Sequence, residues 1–208
     1  MRETQLKKDM KHTNYIGNAK LDSSSDTWKV IDNFLDEEYF NSLITLLTEE
    51  HSLPWYLNCP VYGIQKKTGM TQPGYTEAAA AKEAKFFYMT HMFYIQNSPT
   101  GALYENLIPL LKKMEVRRLL RIKANFYPNT EILHEHPMHT DTDFSHTGAI
   151  LSLNTCDGYT KLRDGTKIDS VANRMLLFDA SKEHCSTTTT NVPVRYNINI
   201  NYIQEQKK

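Results

Sequence analysis

The stretch 193–203 reads PVRYNININYI, and its residues 194–202 divide into two alternating sets. Val194, Tyr196, Ile198, Ile200 and Tyr202 interleave with Arg195, Asn197, Asn199 and Asn201. Side chains on a strand point to opposite faces with a period of two, so this segment has one apolar face and one strongly polar face. If the polar face lines the inside of a barrel, the Arg195 guanidinium there needs an anionic partner, and a carboxylate matches its fork bidentately. That partner is either a side chain closing a structural ion pair or a ligand.

Upstream of it, RMLLFDA (174–180), TGAILSLNT (147–155) and LLRIKANFYP (119–128) are rich in β-branched and aromatic residues and read as further strands. LRDGTKI (162–168) reads as the turn of a hairpin between shorter ones. The character before residue 118 is different. WKVIDNFL (28–35) suggests a short strand and turn, after which Asp36 is placed to cap a helix through about Glu50, with Phe40, Leu43, Ile44 and Leu47 on one stripe. Residues 54–76 carry the glycines and prolines of a long loop, where Lys66 and Lys67 suit either a solvated surface or a substrate lid. An alanine-rich turn (78–85) leads into KFFYMTHMFY (85–94), read as a strand, and SPTGALYENLIPLLKKM (98–114) reads as a second helix despite Pro109. Helices first and strands later predict a mainly β fold with flanking helices, a sheet sandwich or barrel whose N-terminal helices pack on the outer face of one sheet. Residues 1–26 read as a polar tail or arm and 27–208 as one domain.

The bulk numbers exclude more than they identify. With 24 basic and 24 acidic residues, nothing in the total charge draws the chain to nucleic acid or an anionic membrane. Cys59, Cys156 and Cys185 are widely spaced, which fits reduced thiols rather than a disulfide framework, and no C-x-x-C pair is present to hold zinc. The polar N-terminus and the absence of a run of about 18 apolar residues predict a soluble, cytoplasmic protein.

The chemistry concentrates in 134–146, HEHPMHTDTDFSH, where four histidines, one glutamate and two aspartates offer more metal ligands than one site uses. In an extended segment His139 and Asp141 share a face, so an imidazole and a carboxylate converge. Such a pair is common by chance, and alone it reads as a solvated loop. Two histidines and one carboxylate in a facial arrangement hold iron(II) with coordination positions left open. After His146 only His184 remains to complete the set. His134, His136 and His146 are then assigned to the rim or to hydrogen bonds that support the ligands. Asp143, on the same face as Asp141, is the competing carboxylate, while Glu135 and Asp157 read as solvated.

The ordered set of His139-Thr140-Asp141, a single later His184 and then PVRYNI resembles the iron(II)- and 2-oxoglutarate-dependent oxygenases, in particular their prolyl 4-hydroxylase-like branch, phage-type members included. The resemblance covers residues 118–203, with a looser match of VIDNFLDEEYFNSL to the family's leading helix. It implies a double-stranded β-helix (jelly-roll) fold, with His139, Asp141 and His184 as the metal triad and Arg195 gripping the distal carboxylate of 2-oxoglutarate. Asn125 and Tyr127, an Asn-x-Tyr on one strand face, are implied cosubstrate contacts. The implied reaction takes dioxygen and 2-oxoglutarate, with ascorbate as accessory reductant, and hydroxylates a C–H bond, by default of peptidyl proline. Collagen-type members carry lysine where this chain has Arg195, so their substrate does not transfer directly. A small metabolite or a nucleobase is the alternative substrate. A non-catalytic jelly roll, a metal-binding or virion protein, is the alternative class.

Overall fold

The computed structural model describes residues 28–49, 53–58 and 86–204. The polar tail, Cys59, the lysine pair and the alanine-rich turn lie outside them. Asp36 caps helix α1 (Glu37–Thr48) through a side-chain oxygen that accepts from the Tyr39 N–H at 2.9 Å. The helix buries Phe40, Leu43, Leu46 and Leu47. The expected stripe differs only in Leu46, with Ile44 left at its partly buried edge.

Two antiparallel sheets follow. The larger joins strands β1 (Lys29–Ile31), β9 (Arg174–Asp179), β6 (Thr147–Ser152), β11 (Val194–Ile203), β5 (Arg118–Pro128), β3 (Tyr88–Ile95) and β2 (Tyr56–Asn58) in that order, with β4 (Ser98–Pro99) hydrogen-bonded to β3. The smaller holds β10 (His184–Ser186), β7 (Tyr159–Leu162) and β8 (Lys167–Asp169). At the β7–β8 hairpin, Gly165 adopts a φ of 87° that a side chain would resist.

The two faces of the larger sheet differ sharply. Ile122 and Ala124 of β5, Ala149 and Leu151 of β6, Met175 and Leu177 of β9, and Ile198 and Ile200 of β11 form one apolar cluster with Phe40, Leu43 and Leu47 of α1. Leu107, Leu110 and Met114 join the same cluster. The alternate residues face the smaller sheet and divide into two halves. Ile150, Leu176 and Phe178 from β6 and β9 pack with Leu162 and Ile168 of the smaller sheet. The β5–β11 half is polar. Its register opposes Arg195 to Tyr127, Asn197 to Asn125, Asn199 to Lys123 and Asn201 to Arg121.

Residues 98–114 are not one helix. Ser98 and Pro99 pair with β3, a 3-10 turn runs over Ala102–Leu107, and only α2 (Ile108–Lys113) is α-helical. Pro109 explains the break. Lacking an N–H, proline is tolerated in a first helical turn and not in an interior, so the α-helix starts beside it. Among the described residues no helix is long and apolar enough to cross a membrane.

Leu43 is 1% exposed in the cluster that joins α1 to the sheet. Leu43→Ala is expected to cost about 2–5 kcal/mol, and Asp36→Ala, which removes only the cap, about 1 kcal/mol. Urea unfolding of the two variants checks the ranking.

Candidate metal centre

His139 and His184 are brought together by their backbones. Each donates its N–H to the other's carbonyl at 2.9 Å, the reciprocal pairing of two directly opposed antiparallel residues. The same irregular ladder continues from His136 N–H to Ser186 O and from Thr188 N–H to His134 O. Residues 134–139 thus run as an extra strand beside β10. The side chains of such a pair leave on the same side, and the two imidazole centroids lie 4.6 Å apart. Two residues on, Asp141 is held by its N–H to Ala180 O at 3.0 Å. Ligand atoms of His139, Asp141 and His184 all lie within 4.8 Å of one another.

The chemistry of this donor set suits a divalent metal. Nδ1 of His139 sits 3.1 Å from Pro137 O and Nδ1 of His184 sits 3.0 Å from Lys182 O. A carbonyl can only accept, so Nδ1 carries the proton in both rings and Nε2 keeps its lone pair for a metal. Burial, reinforced by His184, draws the His139 pKa down to about 4. Burial likewise lowers His184, against the pull of Asp141. Both imidazoles are neutral at pH 7, the form that ligates. Burial opposes ionisation of Asp141, but Arg121, Lys123, His184 and the Asn201 amide outweigh it and hold the carboxyl far below the usual range.

Asp141 is braced on both oxygens. Arg121 donates to Oδ1 at 2.6 Å, and the Asn201 amide donates to Oδ2 at 2.8 Å. Arg121 also binds Asn201 Oδ1 at 2.9 Å, so the end rung of the β5–β11 ladder acts as one unit on the carboxylate. The Asn201 amide lies 3.0 Å from Nε2 of His146, whose Nδ1 is 2.9 Å from Thr142 Oγ1. His146 therefore supports Asp141 through Asn201, whereas Asp143 is exposed. Sequence reading missed Arg121 and Asn201. Their only signal was placement on polar strand faces, and it becomes specific once the register is known.

At the other end of the ladder Arg195 is 1% exposed. Its Nη1 donates to Ser186 Oγ and to Thr187 O, and its Nη2 to Thr160 Oγ1. Its Nε has no partner and its guanidinium lies 5.3 Å from the Tyr127 ring centroid. Among the described residues no carboxylate pairs with it. Gly158 makes the room: a Cβ there would come within 2.6 Å of Arg195 Cδ and 2.7 Å of Thr188 O. Asn125 and Tyr127 share this inner face, but the Asn125 amide is already bonded to Asn197 Oδ1 at 2.6 Å.

The remaining residues of the opening cluster go elsewhere. His134 stacks on Phe86 with centroids 3.7 Å apart, and His136 packs near Tyr88 and Tyr127. Asp157 is exposed and Glu135 partly so, as read from sequence, and both are also hydrogen-bonded. Glu135 accepts from Tyr159 at 2.6 Å and Lys161 at 2.8 Å, and Asp157 accepts from the Thr189 hydroxyl and the Thr190 N–H.

No family model matches the sequence, and no curated protein does either. Solved structures do. A Pseudomonas putida prolyl-4-hydroxylase aligns over 88% of this chain and 95% of its own, at 12% identity and a TM-score of 0.53. A Trichoplax adhaerens prolyl hydroxylase, solved with a hypoxia inducible factor peptide fragment, aligns over 86% of this chain and 84% of its own, at 15% identity and a TM-score of 0.54. SnoN, a non-heme alpha-ketoglutarate-dependent epimerase from nogalamycin biosynthesis, aligns over 86% and 78%, at 11% identity and a TM-score of 0.52. The chain has the double-stranded β-helix fold of the iron(II)- and 2-oxoglutarate-dependent oxygenases.

Two outcomes follow from the centre. Metal-free protein must keep His139 and His184 neutral, whereas the unfolded chain takes up protons on them as pH falls below about 6.5. Its stability is therefore expected to fall as pH drops from about 6.5 to about 4, the depressed value at His139, and His139→Ala should flatten that slope in urea titrations across the window. Asn201→Ala should weaken iron(II) binding about 10–100-fold, read by competition with a chromogenic chelator.

Proposed function

We propose that the protein is an iron(II)- and 2-oxoglutarate-dependent dioxygenase that hydroxylates a C–H bond of an organic substrate. The observation that carries this reading is Arg195, a buried guanidinium with no carboxylate partner among the described residues, on the same inner face as the strand residues that brace the triad. An uncompensated buried charge is costly. A dicarboxylic ligand reaching from the metal to Arg195 would remove that cost.

His139, Asp141 and His184 would hold the iron, leaving positions open for the 2-oxo acid and dioxygen. Together these supply an oxidant able to attack C–H bonds, one oxygen atom ending in succinate and the other in the product hydroxyl, with release of carbon dioxide. The chain's part is positional. Arg195 binds the distal carboxylate in a slot kept open by Gly158, and Tyr127 covers the guanidinium. Arg121 and Asn201 fix the Asp141 carboxylate so that it meets the metal in one orientation. Ile150, Leu176 and Phe178 on the other half of the barrel limit water around the reacting centre.

Peptidyl proline is the substrate this reading takes as default, drawn from the prolyl hydroxylase resemblance. The same fold serves an epimerase, and a shared fold does not carry a shared substrate.

Purified protein given iron(II), ascorbate and 2-oxoglutarate is expected to form succinate, with the signal lost in His139→Ala and Asp141→Ala. Truncating one partner of a buried charge pair costs about 2–5 kcal/mol, so Arg195→Ala should raise the 2-oxoglutarate KM roughly thirtyfold or more while iron still binds. Gly158→Ala should act in the same direction by displacing Arg195. An unchanged KM in both variants refutes the assignment of Arg195 and favours a non-catalytic metal-binding barrel.

A further inference from the structure

The β5–β11 ladder has a rung that the reaction as described does not use. Lys123 lies between Arg121 and Asn125 on β5 and faces Asn199 across the ladder. It shares the inner face, because its neighbours Ile122 and Ala124 are fully buried in the apolar cluster on the other side. Among the described residues it makes no hydrogen bond and no ion pair, and the charges that act on it are Arg121 and Asp141. Opposite it, the Asn199 side-chain oxygen is buried with no partner. This rung, next to the one that braces Asp141, therefore presents an unpaired ammonium and an unpaired amide oxygen to the barrel interior.

Charge balance indicates what belongs there. Three cations, Arg121, Lys123 and Arg195, share this face, and Asp141 is the only carboxylate that acts on Lys123. Iron(II) would be neutralised by Asp141 and the proximal carboxylate of 2-oxoglutarate, and Arg195 by the distal one. Arg121 keeps about a quarter of its side chain in solvent, which screens it. Lys123 is also only partly buried, but among the described residues it has no carboxylate of its own, and Asp141, the one that acts on it, is already paired with Arg121 at 2.6 Å. Burial already draws its pKa down to about 8, a cost that an adjacent anion would relieve.

Building on the oxygenase reading above, we infer that Lys123 receives a carboxylate of the primary substrate, so that the substrate is an acid whose carboxylate lies beside the C–H bond to be hydroxylated. Asn199 supplies an acceptor for an N–H beside that carboxylate where the substrate has one, as a Pro-Asp sequence does and a C-terminal proline does not. For a proline substrate the carboxylate has two sources: the chain's own C-terminus, or an acidic side chain next to the proline.

The test uses full-length protein under anaerobic conditions, loaded first with iron(II) and then with 2-oxoglutarate, and measures binding of matched acid and amide probes by calorimetry. N-acetylproline against N-acetylprolinamide tests the terminal carboxylate, and N-acetyl-Pro-Asp-amide against N-acetyl-Pro-Asn-amide tests the acidic neighbour. In at least one pair the acid is expected to bind at least about tenfold tighter, and the pair that discriminates identifies the source. Lys123→Met should abolish that preference and Lys123→Arg should retain it, which separates lost charge from lost folding. Equal affinity within both pairs, including no binding by any probe, overturns the inference. So does a preference that survives Lys123→Met, or a loss of 2-oxoglutarate affinity in Lys123→Met as large as the loss for the acid, which would give Lys123 to the cosubstrate. Failure of the oxygenase reading is seen separately, as absence of 2-oxoglutarate binding before any probe is added, and removes the inference with it.

Discussion

The enclosed polar face shared by β5 and β11 is the constraint on which the rest of the structure depends. Burying arginine, lysine and asparagine side chains is unfavourable unless each finds a partner, and the ladder answers this rung by rung. Asn125 binds Asn197, and Arg121 binds Asn201 and then Asp141. Three rungs still leave buried atoms unmatched: Nε of Arg195, Oδ1 of Asn125, and Oδ1 of Asn199 opposite Lys123. A fold selected for stability alone would have filled this face with apolar side chains, as β6 and β9 do beside it. On the proposed reading, unmatched atoms at Arg195 and at Lys123 with Asn199 are where ligand groups complete the structure.

What offsets this cost lies on the other side of the same strands. Ile122, Ile198 and Ile200 are fully buried against the cluster that includes α1 and α2. Each buried aliphatic side chain contributes about 1.5–3 kcal/mol relative to exposure, so a few of them outweigh one unsatisfied polar atom at about 1–3 kcal/mol. The period-two alternation of a single ten-residue strand thus couples the two requirements. One slip of register would place the asparagines against the helices and the isoleucines toward His139, Asp141 and His184. The paired β5–β11 register over nearly its whole length, broken only by a shift between Asn201 and Tyr202, is what keeps site and core on their proper sides.

How much of this could be read from the chain depended on whether the signal was local. The alternation of β11, the Asp36 cap and the His139–Asp141 pair are each encoded within a few residues, and they were legible. The β7–β8 hairpin was equally so, its Gly165 standing at a positive φ. Strand β10 was not legible, since His184–Ser186 is three residues long and is defined by its partners. The bracing role of Arg121 and Asn201 was not legible for a related reason. They lie 80 positions apart and meet only through the pairing of β5 with β11. The partners of Glu135 were not legible, because Tyr159 and Lys161 come from a strand more than 20 residues away. The helix expected over 98–114 failed on a local conflict, where one proline outweighed the apolar spacing around it.

The same distinction bears on what the structural likenesses can carry. At 10–15% identity the shared feature is the arrangement of strands, which many apolar sequences satisfy because volume and alternation suffice. The polar rungs are more demanding. On the proposed reading, the rung that braces Asp141 and the rung that ends in Arg195 answer to a metal and to a dicarboxylate, groups that would be common to every enzyme using this chemistry. Lys123 and Asn199 answer to neither. A position on the same ladder that the shared chemistry leaves free is one that can change without loss of metal or cosubstrate, and specificity for the remaining reactant is most economically written there.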